Sequence, residues 1–159
     1  MEEDGGREVT IGDYAVTTDS GVLTAHGIGS CVVVSIYDRR KKVGGLIHAL
    51  LPKQDPKVVK SAKYADTGIE LLWEESKREG GVEFEAKIAG GAAMFGSNTG
   101  KRNFQSALKK LRELNIKLIA KDIGGARGRN CFFYINSGKM RIMYSIRENF
   151  SVRWVEKTI

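Results

Sequence analysis

Two short apolar runs, close together and separated by four basic residues, constrain this chain most. The first is Val32-Val33-Val34-Ser35-Ile36-Tyr37-Asp38. The second is Val43-Gly44-Gly45-Leu46-Ile47-His48-Ala49-Leu50-Leu51-Pro52, and Arg39-Arg40-Lys41-Lys42 lies between them. Runs this short, rich in β-branched residues and bounded by turn formers, read as buried strands rather than helices. Two such strands joined by a short polar turn form a hairpin. Cys31 stands where the glycine-rich turn Gly27-Ile28-Gly29-Ser30 enters the first strand, and His48 lies inside the second. Antiparallel pairing brings their side chains within reach of each other.

The rest of the chain supplies partners for this hairpin. Residues 1–8 are polar and are expected to fray. Val9–Val16 and Val22–His26 read as strands on either side of the turn Thr17–Gly21. Val58–Gly80 reads as a helix, with Ala62, Ala65, Ile69, Leu72 and Trp73 on one face. Val82–Ala89 alternates as a half-buried strand, with Val82, Phe84, Ala86 and Ile88 inward and Glu83, Glu85 and Lys87 outward. A second helix runs from about Gly100 to Leu114, with Phe104, Leu108 and Leu111 on its apolar face. Strands follow at Ile116–Lys121, Cys131–Ile135 and Met140–Ile146, then a basic tail with alternating Val152 and Trp154. About seven or eight strands and two main helices, with hairpins among them, predict an α/β fold: a layered α/β/β sandwich of mixed sheet. No repeat or internal boundary appears, so residues 1–159 are expected to form a single domain.

Composition narrows the function classes. The chain is 42% hydrophobic and 28% charged, the make-up of an ordinary globular protein. No apolar run approaches the roughly 20 residues that cross a bilayer. Met1-Glu2-Glu3-Asp4 lacks a secretory h-region, so a cytoplasmic protein is expected. A net charge of +7 suits an acidic partner. The Lys and Arg residues are dispersed and no nucleic-acid motif is present, so nucleic acid is not the expected one.

Three glycine-rich turns each follow an apolar strand: Gly27–Gly29, Gly90–Gly96 and Asp122–Arg129. None is a nucleotide signature, since there is no P-loop and the G-x-G-x-x-G pattern fails at its third glycine. Two Cys and two His without paired spacing do not suggest a metal, and no cofactor is expected. Cysteine chemistry fits better. A glycine turn exposes a thiol, its backbone N–H groups around Gly29 and Ser30 can hold an oxyanion, and a histidine is the usual base. Both histidines, His26 and His48, lie near Cys31. The competing reading makes Cys31 a small buried hydrophobe and His48 a satisfied core residue. Cys131, inside Cys131-Phe132-Phe133-Tyr134, reads as core.

At these residues the sequence resembles the CheD family of chemoreceptor glutamine deamidases. The resemblance rests on Ile11-Gly12-Asp13-Tyr14-Ala15-Val16, Gly27–Val34, Tyr37-Asp38, Gly44–Pro52, Lys63-Tyr64-Ala65-Asp66, Lys87–Phe95 and Asp122–Arg129, in order across nearly the whole chain. It implies hydrolysis of glutamine side-chain amides on chemoreceptor cytoplasmic helices, binding of a CheC-type phosphatase, and a sandwich fold similar to that of bacterial toxin deamidases. It also implies that Cys31 is the nucleophile and His48 the general base and acid. The family places a threonine shortly before the cysteine as a third member of the site. Here the nearest slots hold Ala25 and His26, leaving Thr24 as the candidate and His26 as a stand-in orienting group. Methyl ester hydrolysis is a secondary implied activity. The alternatives are a non-catalytic regulatory module for the phosphatase and a cysteine hydrolase acting on a different amide.

Overall fold

The hairpin Val32–Asp38 (β4) and Val43–Ala49 (β5) lies at the centre of the molecule, described here over residues 6–159 by a computed structural model. β4 pairs with β5 on one side, Val33 opposite His48, and with Glu85–Gly90 (β6) on the other, Val33 opposite Ala89. Tyr14–Thr18 (β2) adds to β5, and Lys117–Ile123 (β7) lies parallel to β6, giving the order β2-β5-β4-β6-β7. A second five-stranded sheet consists of Arg7–Glu8 (β1), Val22–Ile28 (β3), Arg129–Tyr134 (β8), Met140–Glu148 (β9) and Ser151–Thr158 (β10), in the order β1-β3-β8-β9-β10. Each sheet contains one parallel pair, so both are mixed.

Strand alternation then builds two cores. Val32, Val34 and Ile36 point from β4 towards helices Ala65–Arg78 (α1) and Thr99–Glu113 (α2), where they meet Ala65, Ile69, Leu72, Ala107 and Leu111. Val33 and Tyr37 point the other way, to Leu23, Ala25, Phe133, Met140 and Ile142 of the second sheet. The layers are helices, first sheet, second sheet: the expected α/β/β sandwich. Gly44 and Gly45 permit this stacking. A Cβ on Gly44 would lie 2.7 Å from Ile135 Cδ1, and one on Gly45 would lie 2.5 Å from Leu72 Cδ1. Each neighbouring layer therefore packs on bare backbone, a close approach that only glycine allows.

Several boundaries differ from expectation, each for a local reason. Residues 1–5 lie outside the described residues, but Arg7 and Glu8 do not fray: they pair parallel to Leu23 and Thr24. The first helix begins at Ala65, not Val58. The preceding loop is held instead by Gln54, whose Nε2 donates to the Val59 carbonyl and whose Oε1 accepts from Ser61 N and Thr67 Oγ1, leaving Val58 and Val59 exposed. β6 is covered on both faces, so Lys87 is buried and donates to the carbonyls of Gly138 and Ile159, both at 2.8 Å. Val82 lies outside the strand and is exposed. The basic tail forms β10, bringing the described residues to ten strands. No helix among them is long and apolar enough to cross a membrane.

Candidate active site

Cys31 directly precedes β4, and its side chain falls on the same face as Val33, inside the core between the two sheets. His48 is opposite Val33 and alternates with Ile47 and Ala49, which face the helices. Its ring therefore also enters the inter-sheet layer. Cys31 lies one residue beyond the last pair of the hairpin, Val32 opposite Ala49, on the diagonal from His48 and on the same side of the sheet, and its thiol makes no hydrogen bond to His48 Nε2.

The backbone around His48 fixes its ring. Its Nδ1 lies 3.1 Å from the carbonyl oxygen of Val9. A carbonyl can only accept, so Nδ1 carries the proton and Nε2 is left with its lone pair. Nε2 is buried and has no hydrogen-bond partner among the described residues. The segment bearing Val9 is itself anchored: Val9 N donates to the Thr24 carbonyl at 2.6 Å, Gly12 N to the His48 carbonyl at 2.8 Å, and His48 N to the Asp13 carbonyl at 3.2 Å.

Burial lowers the His48 pKa from its ordinary 6.5, with the Val9 bond opposing that effect. Burial raises the Cys31 thiol above its ordinary 9.0, its own backbone amide acting against the rise. In both cases the low-dielectric surroundings disfavour the charged form. At neutral pH the pair therefore rests as thiol and neutral imidazole, not as a preformed thiolate and imidazolium.

The three glycine-rich turns converge beside Cys31. Gly91 N donates to the Cys31 carbonyl at 2.7 Å, Ala92 N to the Gly29 carbonyl at 3.0 Å, Ala93 N to the Gly125 carbonyl at 2.8 Å, and Gly124 N to the Gly90 carbonyl at 2.9 Å. Buried Arg129 braces the second and third turns, donating to the carbonyls of Gly90 and Gly124 and to Asp122. The carbonyl of Ser30 accepts from Asn103 Nδ2 at 2.8 Å. With the Gly29 and Ser30 carbonyls engaged, the amides of Ser30 and Cys31 donate to no carbonyl among the described residues. The Cys31 amide lies against its own thiol, and backbone donors beside a nucleophile are the kind that can hold an oxyanion. Phe95 stands fully exposed at the tip of the second turn, at φ 54° and ψ 34°.

Thr24 and His26 are not brought to the pair. Their neighbours Leu23 and Ala25 point into the inter-sheet core, so both face the opposite side of β3. Thr24 Oγ1 donates to the Arg7 carbonyl at 3.5 Å, and His26 is exposed, edge-on to Phe132. The residues of β3 that point into the inter-sheet core are Leu23, Ala25 and Ile28. Thr24 touches the site only through its main chain, which holds Val9. Cys131 is fully buried, its thiol pushed up to about 12 chiefly by burial. Among the described residues, no group of three His, Cys, Asp or Glu side chains is placed to hold a metal.

Val9, Asn103 and Arg129 were missed by the sequence reading. Val9 acts through a main-chain atom and leaves no sequence signal. Asn103 did leave one: four residues before Ala107 and eight before Leu111, it lies on the buried stripe of α2, and a buried amide must find partners.

Residues 50–144 match the family model described as CheD chemotactic sensory transduction. The chain is 43% identical over 145 residues to a Pyrococcus abyssi protein named probable chemoreceptor glutamine deamidase CheD, covering 85% of this chain and 89% of that one. It is 45% identical over 139 residues to the chemoreceptor glutamine deamidase CheD of Thermotoga maritima, covering 84% and 88%. The chain belongs to the CheD family. A more divergent CheD relative from Methanosarcina acetivorans, 38% identical, aligns over 92% of this chain and 97% of its own length. The likeness to CheD proteins therefore extends well beyond the segment that the family model matches.

Proposed function

We propose that this CheD protein hydrolyses the side-chain amide of glutamines on the cytoplasmic helices of chemoreceptors, yielding glutamate and ammonia, with Cys31 as nucleophile and His48 as general base and acid. The observation that carries the reading is the buried, unpartnered Nε2 of His48, aimed into the layer that holds the Cys31 thiol, with the opposite ring nitrogen fixed as a donor.

The steps follow from this arrangement. Nε2 accepts the thiol proton as sulfur attacks the amide carbon of the glutamine. The amides of Ser30 and Cys31 hold the oxygen that gains charge. The tetrahedral intermediate collapses, the C–N bond breaks, and the imidazolium gives its proton to the departing ammonia. Water then loses a proton to Nε2 and attacks the thioester, and the protonated imidazole returns that proton to sulfur as the carboxylic acid leaves. Val9 orients the ring, and Thr24 contributes through the main-chain carbonyl that anchors Val9. The same steps serve methyl ester hydrolysis, with methanol leaving.

Residues 1–159 act in this reading as one deamidase domain in the cytoplasm, where the receptor helices are. A CheC-type phosphatase is its second protein partner. Mass spectrometry of a receptor cytoplasmic fragment after incubation tests the reading: glutamine becomes glutamate with the unaltered protein and not with Cys31→Ala. Binding without conversion would favour a regulatory module instead.

A further inference from the structure

We propose that Asn103 is a positioning residue that orients the oxyanion donor of the site; the inference rests on the deamidase reading of Cys31. Asn103 lies on α2, across the first sheet from the inter-sheet layer, and is fully buried. Both hydrogens of its amide are spent on the backbone just beyond the paired ends of β4 and β5. Nδ2 donates to the carbonyl of Ser30 at 2.8 Å and to that of Leu50 at 3.0 Å. The β4–β5 ladder ends with Val32 opposite Ala49. One residue further, Leu50 turns its own amide to the Lys63 carbonyl, and Cys31 turns its carbonyl to Gly91. Asn103 bridges the strands where their own pairing stops.

The bond to Ser30 fixes more than a loop. The Ser30 carbonyl and the Cys31 N–H belong to one trans peptide unit. That unit is planar, so the two groups point in opposite directions. Drawing the carbonyl towards α2 turns the Cys31 N–H away from the helix layer, to the side where the thiol lies. The bond to Leu50 ties the same peptide to the strand that carries His48, two residues away. A leucine or aspartate at 103 lacks the two donors. The amide oxygen, Oδ1, is buried without a partner among the described residues, which marks a side chain held for its donors.

Asn103→Ala and Asn103→Asp test this, assayed for glutamine conversion and for labelling of Cys31 by iodoacetamide. Alkylation displaces iodide at a saturated carbon and builds no oxyanion, whereas deamidation does. Loss of one oxyanion donor lowers kcat by about 100-fold. The expected result is that loss in kcat, with KM within about twofold and the labelling rate within about threefold of the unaltered protein. A kcat within about threefold in either folded variant overturns the proposal, as does labelling that falls in step with kcat. Should neither variant fold, amide hydrogen exchange in the unaltered protein decides, using a peptide whose glutamine is replaced by glutamate semialdehyde. Its hemithioacetal with Cys31 must slow exchange of the Cys31 N–H at least about tenfold, and unchanged exchange overturns the role of Asn103. If the unaltered protein converts no glutamine, the deamidase reading fails by itself, and the exchange measurement still decides the orientation of the Cys31 amide.

Discussion

His48 donates through Nδ1 to the carbonyl of Val9 at 3.1 Å, and this bond decides which ring nitrogen is free for chemistry. The free one, Nε2, acts as a base only while the ring is neutral. Burial holds the imidazole below its ordinary 6.5, and burial holds the thiol above 9.0. The kcat/KM profile is therefore expected to have its acid limb centred below pH 6.5 and to stay level above it towards pH 9. An acid limb centred above pH 6.5 would contradict the neutral resting pair. Linkage gives the same group a stability signature. The unfolded chain takes up the histidine proton first as pH falls, so the contribution is complete above pH 6.5 and is lost as pH drops through the lower folded value. His48→Gln should flatten that part of the stability curve.

Asp38 is the staple of the central hairpin. Its Oδ1 accepts from the amides of Arg40 and Lys41, both at 3.0 Å, and its Oδ2 accepts from those of Val82 and Glu83 at 2.8 and 3.1 Å. Burial opposes its ionisation, but the four amides together outweigh burial and hold the carboxyl below its ordinary 3.8. Asp38→Ala should cost about 3 kcal/mol, a fall in Tm of roughly 6–12 °C for a chain of this size. Asp38→Asn, which keeps one acceptor, should cost less. The contribution of the carboxylate is present above about pH 3.8 and lost as pH falls through the lower folded value, which acid denaturation will show.

How far the sequence could be read depended on whether an interaction was local. β4 and β5 were legible because apolar runs broken by a basic turn have few other ways to fold, and the Cys31–His48 diagonal followed from that pairing. Lys87 was misplaced because period-2 alternation assigns one face to solvent, whereas a strand in the middle layer of three has no such face. Thr24 was legible only as a threonine near a cysteine. Its face depended on the parity of β3, which Leu23 and Ala25 decide by packing between the sheets. The three glycine turns were each visible, but their convergence was not, because it rests on main-chain bonds such as Gly91 N to the Cys31 carbonyl that any residue type can make.

Gly100 opens α2 where the helix touches the second glycine turn. A Cβ there would overlap the carbonyl of Ala92 and the backbone of Gly91. Alanine is worth about 1 kcal/mol more than glycine inside a helix, but overpacking against rigid backbone costs about 1–3 kcal/mol or more. Gly100→Ala should therefore destabilise the protein by about 2 kcal/mol, against its helix propensity. Because the displaced helix turn also carries Asn103, kcat should fall in the same variant. A variant more stable than the unaltered protein in urea would show that the turn yields more easily than its packing indicates.

The two cysteines differ in ways that thiol labelling can read. Cys31 keeps 5% of its surface exposed, whereas Cys131 keeps none and has its thiol held at about 12. Labelling follows the thiolate fraction and access together, so iodoacetamide at pH 8 should modify Cys31 well before Cys131. His48→Ala removes the base that lies diagonal to Cys31 on this face, so it should slow labelling of Cys31 and leave Cys131 unchanged. Cys31→Ser replaces sulfur with a poorer nucleophile of nearly the same size, and it should abolish glutamine conversion while shifting Tm by only a few degrees. Equal labelling of both cysteines, insensitive to His48, would make Cys31 a core residue and remove the basis for thiol catalysis.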